Sequence, residues 1–352
     1  MSGAKFGFDI SKLVAYSGYY IDDSLLKESS SGGAATALSE AVLARGGAVL
    51  GVTYTADFKG AEYCLVEQAE DLYKLKGSKY IRPSKEVFYD GERRSVYTVV
   101  ASLLETGREV LFFGLGCVVA ALYSFLTTKQ TDTTKLFTVE LICMGPTTPK
   151  VAEEYIDALE KRYRSKVCDF SVRYKKRGWT PSYLHAEFEN GKKFETLFLQ
   201  SEYGYAFKHY SFAPCYDCHF KGENHKADIT VGDYWGISKN HAAYNENGVS
   251  LFLLQTQRGK ELLSYIDTDS FHLELADVSF ALSNNLHYFR PVQRPSDWEE
   301  FGKDLEQRGL FYAARRSQGN VKYFLRKAGI IAWAHRILPQ TLRDAISHRT
   351  GK

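Results

Sequence analysis

The chain has 352 residues, of which 44% are hydrophobic and 25% are charged, a composition typical of a globular protein with a large core. Its formal net charge of +3 is too small to indicate nucleic-acid binding. No stretch approaches the roughly 20 apolar residues of a membrane span, and the N-terminus lacks a secretory signal pattern. We therefore expect a cytoplasmic protein whose six cysteines are ligands or core thiols rather than disulfides.

Helical and strand patterns alternate between residues 30 and 165. A first helix is predicted to begin in the segment 29–36 and to end before Gly46 and Gly47. Further helices are predicted at 95–105, 118–126 and 149–162, and strands at 48–54, 109–114 and 136–142. Residues 62–67 are predicted to form a hairpin with the first of these strands. This alternation is typical of an α/β layer with a mostly parallel sheet.

The pattern changes after residue 165. Strands are predicted at 169–174, 183–189, 193–198, 227–235 and 249–256, and a Glu-Asn-Gly-Lys turn joins the second to the third. From residue 276 onward the chain is mostly helical and basic. We predict an α/β fold with α+β texture in its second half. It has a mostly parallel sheet flanked by helices, β-hairpin insertions and a helical C-terminal region.

Three regions are expected: a lead-in at 1–28, a main domain at 29–285 and a basic helical region at 286–352. The last region has apolar positions at helical spacing among many cations. That pattern permits peripheral contact with an anionic membrane at the inner membrane face. A helix packed on the domain is the commoner arrangement.

Two segments rich in Gly and Ser are candidate phosphate sites. The Ser-Ser-Gly-Gly sequence at 30–33 precedes a helix, and free N–H groups at a helix start bind phosphate well. A plain serine cap is the simpler interpretation. The Gly-Ser-Lys-Tyr sequence at 77–80 offers a nucleotide a hydroxyl, a cation and a ring. Taken alone, a solvated turn is the commoner role of such a loop.

Charged residues near two predicted strands are further candidates. Asp233 ends a strand in the sequence Asp-Ile-Thr-Val-Gly-Asp-Tyr-Trp, where it could act as an acid or base or only shape a turn. A basic loop, which contains Arg173 and residues 175–177, follows another strand. This loop could meet an anionic substrate, but a solvated edge is expected.

Four cysteines are predicted at turns, where they could share one metal centre. They are Cys117, Cys143, Cys215 and Cys218. The last two form a Cys-x-x-Cys motif, and each of the first two ends an apolar strand-like run at the expected ligand edge of the sheet. Four thiolates match a cubane iron–sulfur cluster or a zinc site. A redox dithiol, an unused pair and buried small hydrophobes are the alternatives, and Cys64 and Cys168 are expected to be buried hydrophobes.

The order of these segments resembles that of a known family. In chain order they are the Ser-Ser-Gly-Gly and Gly-Ser-Lys-Tyr segments, the turn at 114–117, the Cys-Met-Gly at 143–145, the Gly-Trp at 178–179, the Cys-x-x-Cys with its Phe-Lys-Gly, and the run at 227–236. From roughly residue 28 to residue 260 the chain is similar to the beta subunits of deazaflavin-reducing hydrogenases and dehydrogenases. The resemblance implies an FAD-binding, iron–sulfur electron-transfer protein. Relatives reduce deazaflavin, reduce chlorophyll precursors or belong to polysaccharide biosynthesis.

The resemblance also implies site residues. FAD would be bound by Ser30, Ser31, Gly32, Gly33, Thr36, Gly77, Ser78, Lys79, Tyr80, Gly114 and Gly116. One 4Fe-4S cluster would be ligated by Cys117, Cys143, Cys215 and Cys218. Asp233, Lys79 and Tyr80 would assist proton transfer as catalytic residues.

Departures from the family pattern bear on the electron donor. No cysteine precedes Cys64, so we expect no N-terminal ferredoxin-like module. The family's Gly-Thr-Pro-Cys-Gln turn is Gly-Leu-Gly-Cys-Val at 114–118, and its Cys-His-Gly is Cys-Met-Gly at 143–145. The absence of the module indicates an external electron donor, either ferredoxin-like or a reduced deazaflavin or nicotinamide. The other two departures remove polar contacts near the flavin or substrate and a possible proton donor.

Three functions compete. The leading one is an FAD- and 4Fe-4S-dependent oxidoreductase that acts on a small molecule, a nucleotide- or lipid-linked sugar of polysaccharide biosynthesis. The second is a non-catalytic electron-relay subunit that docks to a partner enzyme. The third is a zinc-stapled binding protein without redox activity.

Overall fold

The computed structural model describes residues 6–327, and within them it confirms the predicted α/β class. The strands are β1 (Val14–Tyr20), β2 (Ala48–Tyr54), β3 (Ala61–Val66), β4 (Glu86–Tyr89), β5 (Glu92–Ser95), β6 (Val110–Leu115), β7 (Leu136–Leu141), β8 (Val167–Tyr174), β9 (Tyr183–Phe188), β10 (Lys193–Leu197), β11 (Ile229–Asp233), β12 (Ser250–Leu254) and β13 (Phe271–Ala276). The helices are α1 (Asp23–Glu28), α2 (Ala34–Leu43), α3 (Val96–Glu105), α4 (Gly116–Thr128), α5 (Pro149–Tyr163), α6 (Glu202–His209), α7 (Gln257–Ser264), α8 (Val278–Asn284), α9 (Trp298–Arg308), α10 (Leu310–Gln318) and α11 (Asn320–Lys327).

Eight strands form one mixed sheet in the order β13-β1-β12-β11-β7-β6-β2-β3. The middle strands β11, β7, β6 and β2 run parallel, and the outer pairings are antiparallel. The predicted hairpin is confirmed as β2 with β3. The apolar run of β6 is almost wholly buried, because helices cover both faces of the parallel part of the sheet.

Helices α2 and α7 pack on one face of this sheet, and α3 and α4 pack on the other. Leu38 of α2 lies in the same buried cluster as Leu111 of β6. Val99 of α3 lies in a second cluster with Phe112, the next residue of β6. Neighbouring residues of a strand point to opposite faces, so the apolar run of β6 supplies both cores.

A smaller layer contains the antiparallel sheet β10-β9-β8 and the helices α5, α6, α9 and α10. It lies against the carboxyl end of β2, where the ring of Tyr54 packs edge-on against Phe170 of β8 at 5.8 Å between centroids. This contact brings the end of β8 close to the ligand edge of the parallel strands.

Some local predictions change. Cys117 lies in the first turn of α4 and not at the end of a strand, because β6 already ends at Leu115. The predicted lead-in contains β1, which lies inside the sheet between β13 and β12. Of the basic helical region predicted at 286–352, the part up to Lys327 contains α9, α10 and α11, and the remainder lies outside the described residues. In the described part of the chain, no helix is long and apolar enough to cross a bilayer.

Candidate active site

The two predicted phosphate-binding loops lie side by side. The hydroxyl of Ser78 donates a hydrogen bond of 3.1 Å to Oγ of Ser30. The hydroxyl of Tyr54, the last residue of β2, donates to the carbonyl oxygen of Ser78 at 3.3 Å. The loops therefore meet beyond the carboxyl ends of the parallel strands, where α/β sheets bind their ligands.

Gly32 and Gly33 attach the start of α2 to the neighbouring strands. A methyl group on Gly32 would overlap the carbonyl oxygen of Gly18 in β1. Gly33 has a φ of 96° and its α-carbon faces the ring of Tyr20, so both the backbone and the space require glycine. These two glycines therefore serve packing, and they hold the helix start in place.

The first N–H groups of α2 differ in their partners. The N–H of Ala34 donates to Oγ of Ser250 at 3.4 Å. Across residues 6–327, no protein acceptor is found for the N–H groups of Ala35 and Thr36. Both lie at the positive end of the helix dipole, so they are available to an anion.

Arg173 connects the predicted pieces of the site. Its guanidinium donates two hydrogen bonds to the carboxylate of Asp233, at 2.8 and 3.1 Å. It also donates to the carbonyl oxygen of Ser30 at 2.8 Å and to the hydroxyl of Tyr80 at 3.3 Å. Only 8% of its side chain is exposed. The prediction of a solvated edge is therefore wrong for Arg173, because the end of β8 is covered by both loops.

Asp233 has little freedom to move. Besides the two bonds from Arg173, one carboxylate oxygen accepts a hydrogen bond of 3.1 Å from the indole N–H of Trp179. The ring of Trp179 stacks on Trp235, with 4.8 Å between centroids and 1° between planes. The two indoles border a cleft of about 370 Å³ that the exposed Arg177 and Lys239 also line. Asp233 thus anchors Arg173 beside an open cleft.

Lys79 is a partly buried amine of the site. Its ammonium group donates to the carbonyl oxygens of Leu75 and Lys76 at 3.0 and 2.7 Å. These carbonyls end the short 3-10 helix at Ala69–Leu75, where a cation is favourable. Burial lowers the pKa of Lys79 to about 7. The amine can therefore take up or release a proton near neutral pH.

Lys175 is a second partly buried amine of the site. It donates to the carbonyl oxygens of Leu26 and Ser31 at 2.6 and 2.7 Å. Burial, and then the charge of Arg173, lower its pKa to about 7. The predicted solvated edge is wrong for this residue as well, because the loop before α2 covers it.

Because the pKa of Lys79 is lowered in the folded chain, we expect the free energy of unfolding to rise from about pH 7 to about pH 9. In the folded chain its pKa is about 7, and its ordinary value is 10.5. Between these values the unfolded chain binds more protons, so a rise in pH favours the folded state. Urea unfolding across this range should show the rise, and Lys79→Met should reduce its slope to the part that Lys175 contributes, because the pKa of Lys175 is also lowered to about 7. An equal slope in the variant would contradict the assignment.

The four predicted cysteines lie within electrostatic reach of one another. Burial raises the pKa of Cys143 to about 11, and the thiols of Cys117 and Cys215 contribute to the shift. Burial and then the thiol of Cys218 raise the pKa of Cys117. The pKa of Cys215 is raised by burial and then by Cys117 and Cys218. These couplings show that Cys117 at the start of α4, Cys143 after β7 and the Cys-x-x-Cys motif are close enough to influence one another electrostatically.

The surroundings of these thiols suit a cluster. The N–H of Gly145 donates to Sγ of Cys143 at 3.2 Å, and the ammonium of Lys221 donates to the carbonyl oxygen of Cys143. In the described ranges, no three ligating side chains converge closely enough to hold a single metal ion. By its chemistry the four-thiol donor set fits either a four-iron cluster or a zinc ion.

A backbone contact joins the two halves of the site. The N–H of Thr147 donates to the carbonyl oxygen of Tyr80 at 3.1 Å, and the N–H of Arg82 donates to the carbonyl oxygen of Thr147 at 3.0 Å. The guanidinium of Arg82 lies over the ring of Phe212, at 4.8 Å from its centroid, shortly before Cys215. The Gly-Ser-Lys-Tyr loop is therefore bound to the loop that follows Cys143.

Other predicted residues lie apart from the two loops. Gly114 and Gly116 occupy the end of β6 and the start of α4, and a methyl group on Gly116 would contact Glu140 and Phe220. Their assignment to a cofactor stays a prediction. Cys168 is exposed on β8, so its prediction as a buried thiol is wrong, whereas Cys64 on β3 is partly buried.

The main residue that the sequence interpretation underrated is Arg173. The signal was present in the sequence, because the strand predicted at 169–174 contains Arg173, whereas the basic-loop interpretation placed it beyond a strand. An arginine in a strand that packs against another layer needs an acid partner, and Asp233 ends a strand of the main sheet.

Two family models match the chain. One is described as the C terminus of the coenzyme F420 hydrogenase/dehydrogenase beta subunit and matches residues 107–279. The other is the N-terminal model of the same subunit and matches residues 15–86. Together they cover more than two thirds of the chain.

Among solved structures, a chain of the F420-reducing NiFe hydrogenase complex from Methanosarcina barkeri matches with a TM-score of 0.52 and 17% sequence identity. The match covers 85% of this chain and 92% of that chain. At this identity it shows a shared fold. No curated protein matches the chain.

Proposed function

Because the chain belongs to the coenzyme F420 hydrogenase/dehydrogenase beta-subunit family, we propose that it is an oxidoreductase that uses FAD and a 4Fe-4S cluster to transfer electrons or hydride. The observation that carries the proposal is the backbone contact of Thr147 with Tyr80 and Arg82. It keeps the candidate nucleotide loop next to the cysteine loop. Two redox groups that exchange electrons need such proximity, and supplying it is the protein's part of the chemistry.

The chain offers separate groups for each cofactor. The N–H groups of Ala35 and Thr36, with the hydroxyls of Ser30 and Ser78, would bind the phosphates of FAD. The four cysteines would ligate the cluster. When bound, the flavin supplies two-electron chemistry and the cluster supplies single-electron transfer.

The groups that could transfer protons have different roles. Lys79 and Lys175, with pKa values near 7, can each release or accept a proton at Nζ. The hydroxyl of Tyr80 accepts from Arg173, so its own proton remains free to be donated to a substrate. Asp233 already accepts three hydrogen bonds, so its contribution is to hold Arg173 in position.

We also propose a nucleotide- or lipid-linked sugar of polysaccharide biosynthesis as the substrate. The cleft beside Trp179 and Trp235 supports this, because its volume of about 370 Å³ suits a small molecule and Arg177 and Lys239 suit an anionic group. Within residues 6–327 neither cation has an acidic partner. The proposal includes a cytoplasmic location and an external donor, either ferredoxin-like or a reduced deazaflavin or nicotinamide.

Anaerobic purification followed by absorption spectroscopy and assays of iron, zinc and flavin tests the proposal. We expect a brown protein with FAD and about four irons per chain, the number in a cubane cluster. A colourless protein with zinc, or one with neither iron nor flavin, would refute the redox function.

An electron-relay subunit is the second candidate. The solved structure with the shared fold is part of a hydrogenase complex, which favours partner subunits for this chain too. Reduction of the bound flavin by a partner protein, with no turnover of nucleotide- or lipid-linked sugars by the chain alone, would select the relay function.

A further inference from the structure

The net positive charge of the chain is concentrated at its C-terminal end. Residues 309–352 contain nine Lys and Arg residues and one acid, Asp344, which gives a net charge of +8. Since the whole chain has a net charge of +3, the first 308 residues carry −5. A charge separation of this kind orients a protein at an anionic surface with its basic end first.

Within this end, α10 and α11 present a mixed surface that we call the C-terminal face, formed by Phe311, Arg315, Val321, Phe324 and Leu325. Val321 is 74% exposed, Phe324 is 56% exposed and Leu325 is 39% exposed. The guanidinium of Arg315 lies 5.4 Å from the centroid of the Phe324 ring, so the two helices share this surface.

Contacts on the other side of α11 determine which side chains face solvent. The hydroxyl of Tyr323 donates to a carboxylate oxygen of Glu202, and Lys327 pairs with the other oxygen at 2.9 Å. The guanidinium of Arg326 lies over the ring of Tyr205 at 4.7 Å. The helix is thus attached to α6 by polar side chains and exposes its apolar ones, the reverse of a helix that packs on a core.

Cationic side chains line a groove beside the C-terminal face. Its volume is about 270 Å³, and Lys208, Lys322 and Arg326 line it together with Leu199. In the described part of the chain, neither lysine has an acidic partner, and the buried Nε–H of Arg326 has no acceptor. Several donors that converge without a protein acceptor are suited to a phosphate group.

We propose that the C-terminal face and this groove dock the protein onto an anionic phospholipid bilayer. A lipid phosphate would occupy the groove, and Val321, Phe324 and Leu325 would enter the boundary between headgroups and acyl chains. A nucleic acid would use the cations but not the exposed apolar side chains, whereas a bilayer uses both. The inference stands independently of the redox function, because no residue of this surface belongs to the candidate active site.

Sedimentation of the full chain with lipid vesicles tests the proposal. We expect binding to vesicles of equal parts phosphatidylcholine and phosphatidylglycerol, and none to phosphatidylcholine alone. Phe324→Asp should weaken binding by about tenfold or more, because it puts a charge into the apolar boundary. Phe88→Asp is the matched control, since this ring is 68% exposed on the distant strand β4. It should bind like the wild type.

Replacing Lys208 and Lys322 together by Ala should also weaken binding and reduce its salt dependence, whereas Lys260→Ala on α7 should not. Val321→Asp, at the most exposed of these positions, guards against a folding defect, and circular dichroism checks each variant. Failure of the wild type to bind the anionic vesicles would overturn the proposal. So would unchanged binding by Phe324→Asp and Val321→Asp, because binding would then be electrostatic alone and would not use the exposed apolar side chains.

Discussion

Serine in place of Cys143 is expected to remove most of the iron and the brown absorption from the anaerobically purified protein. Cys143 is within electrostatic reach of both Cys117 and Cys215. A serine hydroxyl stays protonated and is a poor ligand for iron, so the cluster would lose one of its four attachments. Iron should fall from about four per chain to about one or less. The same result is expected at Cys117, Cys215 and Cys218.

The chain contains two matched controls for this experiment. Cys64 and Cys168 lie on β3 and β8, outside the group of four, so serine at either position should leave the iron content unchanged. Iron assays and visible spectra of all six variants show which cysteines ligate the cluster. Equal loss in Cys64→Ser, or retention of four irons in Cys143→Ser, would contradict the ligand set.

Alanine in place of Arg173 is expected to lower the free energy of unfolding by about 3–5 kcal/mol. The substitution leaves the carboxylate of Asp233 largely buried, with 17% of the side chain exposed, and without its cation. It also removes the hydrogen bonds that join Ser30 and Tyr80, so FAD should be lost with the stability. Urea unfolding and flavin content measure the two effects.

Two further variants distinguish the effect of breaking the ion pair on stability from the effect of removing any arginine. Arg177→Ala removes an exposed cation of the same segment and should change stability by less than about 0.5 kcal/mol. The double variant Arg173→Met with Asp233→Leu should be more stable than Arg173→Ala, because no unpaired charge remains. If Arg173→Ala lowered the free energy of unfolding no more than Arg177→Ala does, the proposed contribution of the Arg173–Asp233 ion pair to stability would be refuted.

Backbone hydrogen bonds connect the two candidate cofactor regions. The segment that carries Lys79 and Tyr80 continues directly into Arg82, whose backbone is hydrogen-bonded to Thr147 beyond Cys143. Any shift of one loop must therefore move the other. This coupling is a reason to expect that loss of the cluster also weakens FAD binding, which the flavin content of Cys143→Ser will report.

The elements of the fold were predictable because their signals are local. The apolar run of β6 predicts a buried strand, and the periodic apolar positions of α3 predict a helix, without any knowledge of the rest of the chain. The Cys-x-x-Cys spacing and the strand-following Cys143 pointed to a shared site, because the carboxyl ends of parallel strands meet at one edge.

What the sequence by itself determined is therefore the order of strands and helices, the α/β class and the candidate thiols. The tertiary structure decided which charged residues are buried. Arg173 meets an acid 60 positions away and a carbonyl 143 positions away, and Lys175 reaches a carbonyl 144 positions away. No local pattern contains such partners, because burial and pairing at these distances depend on how two layers pack.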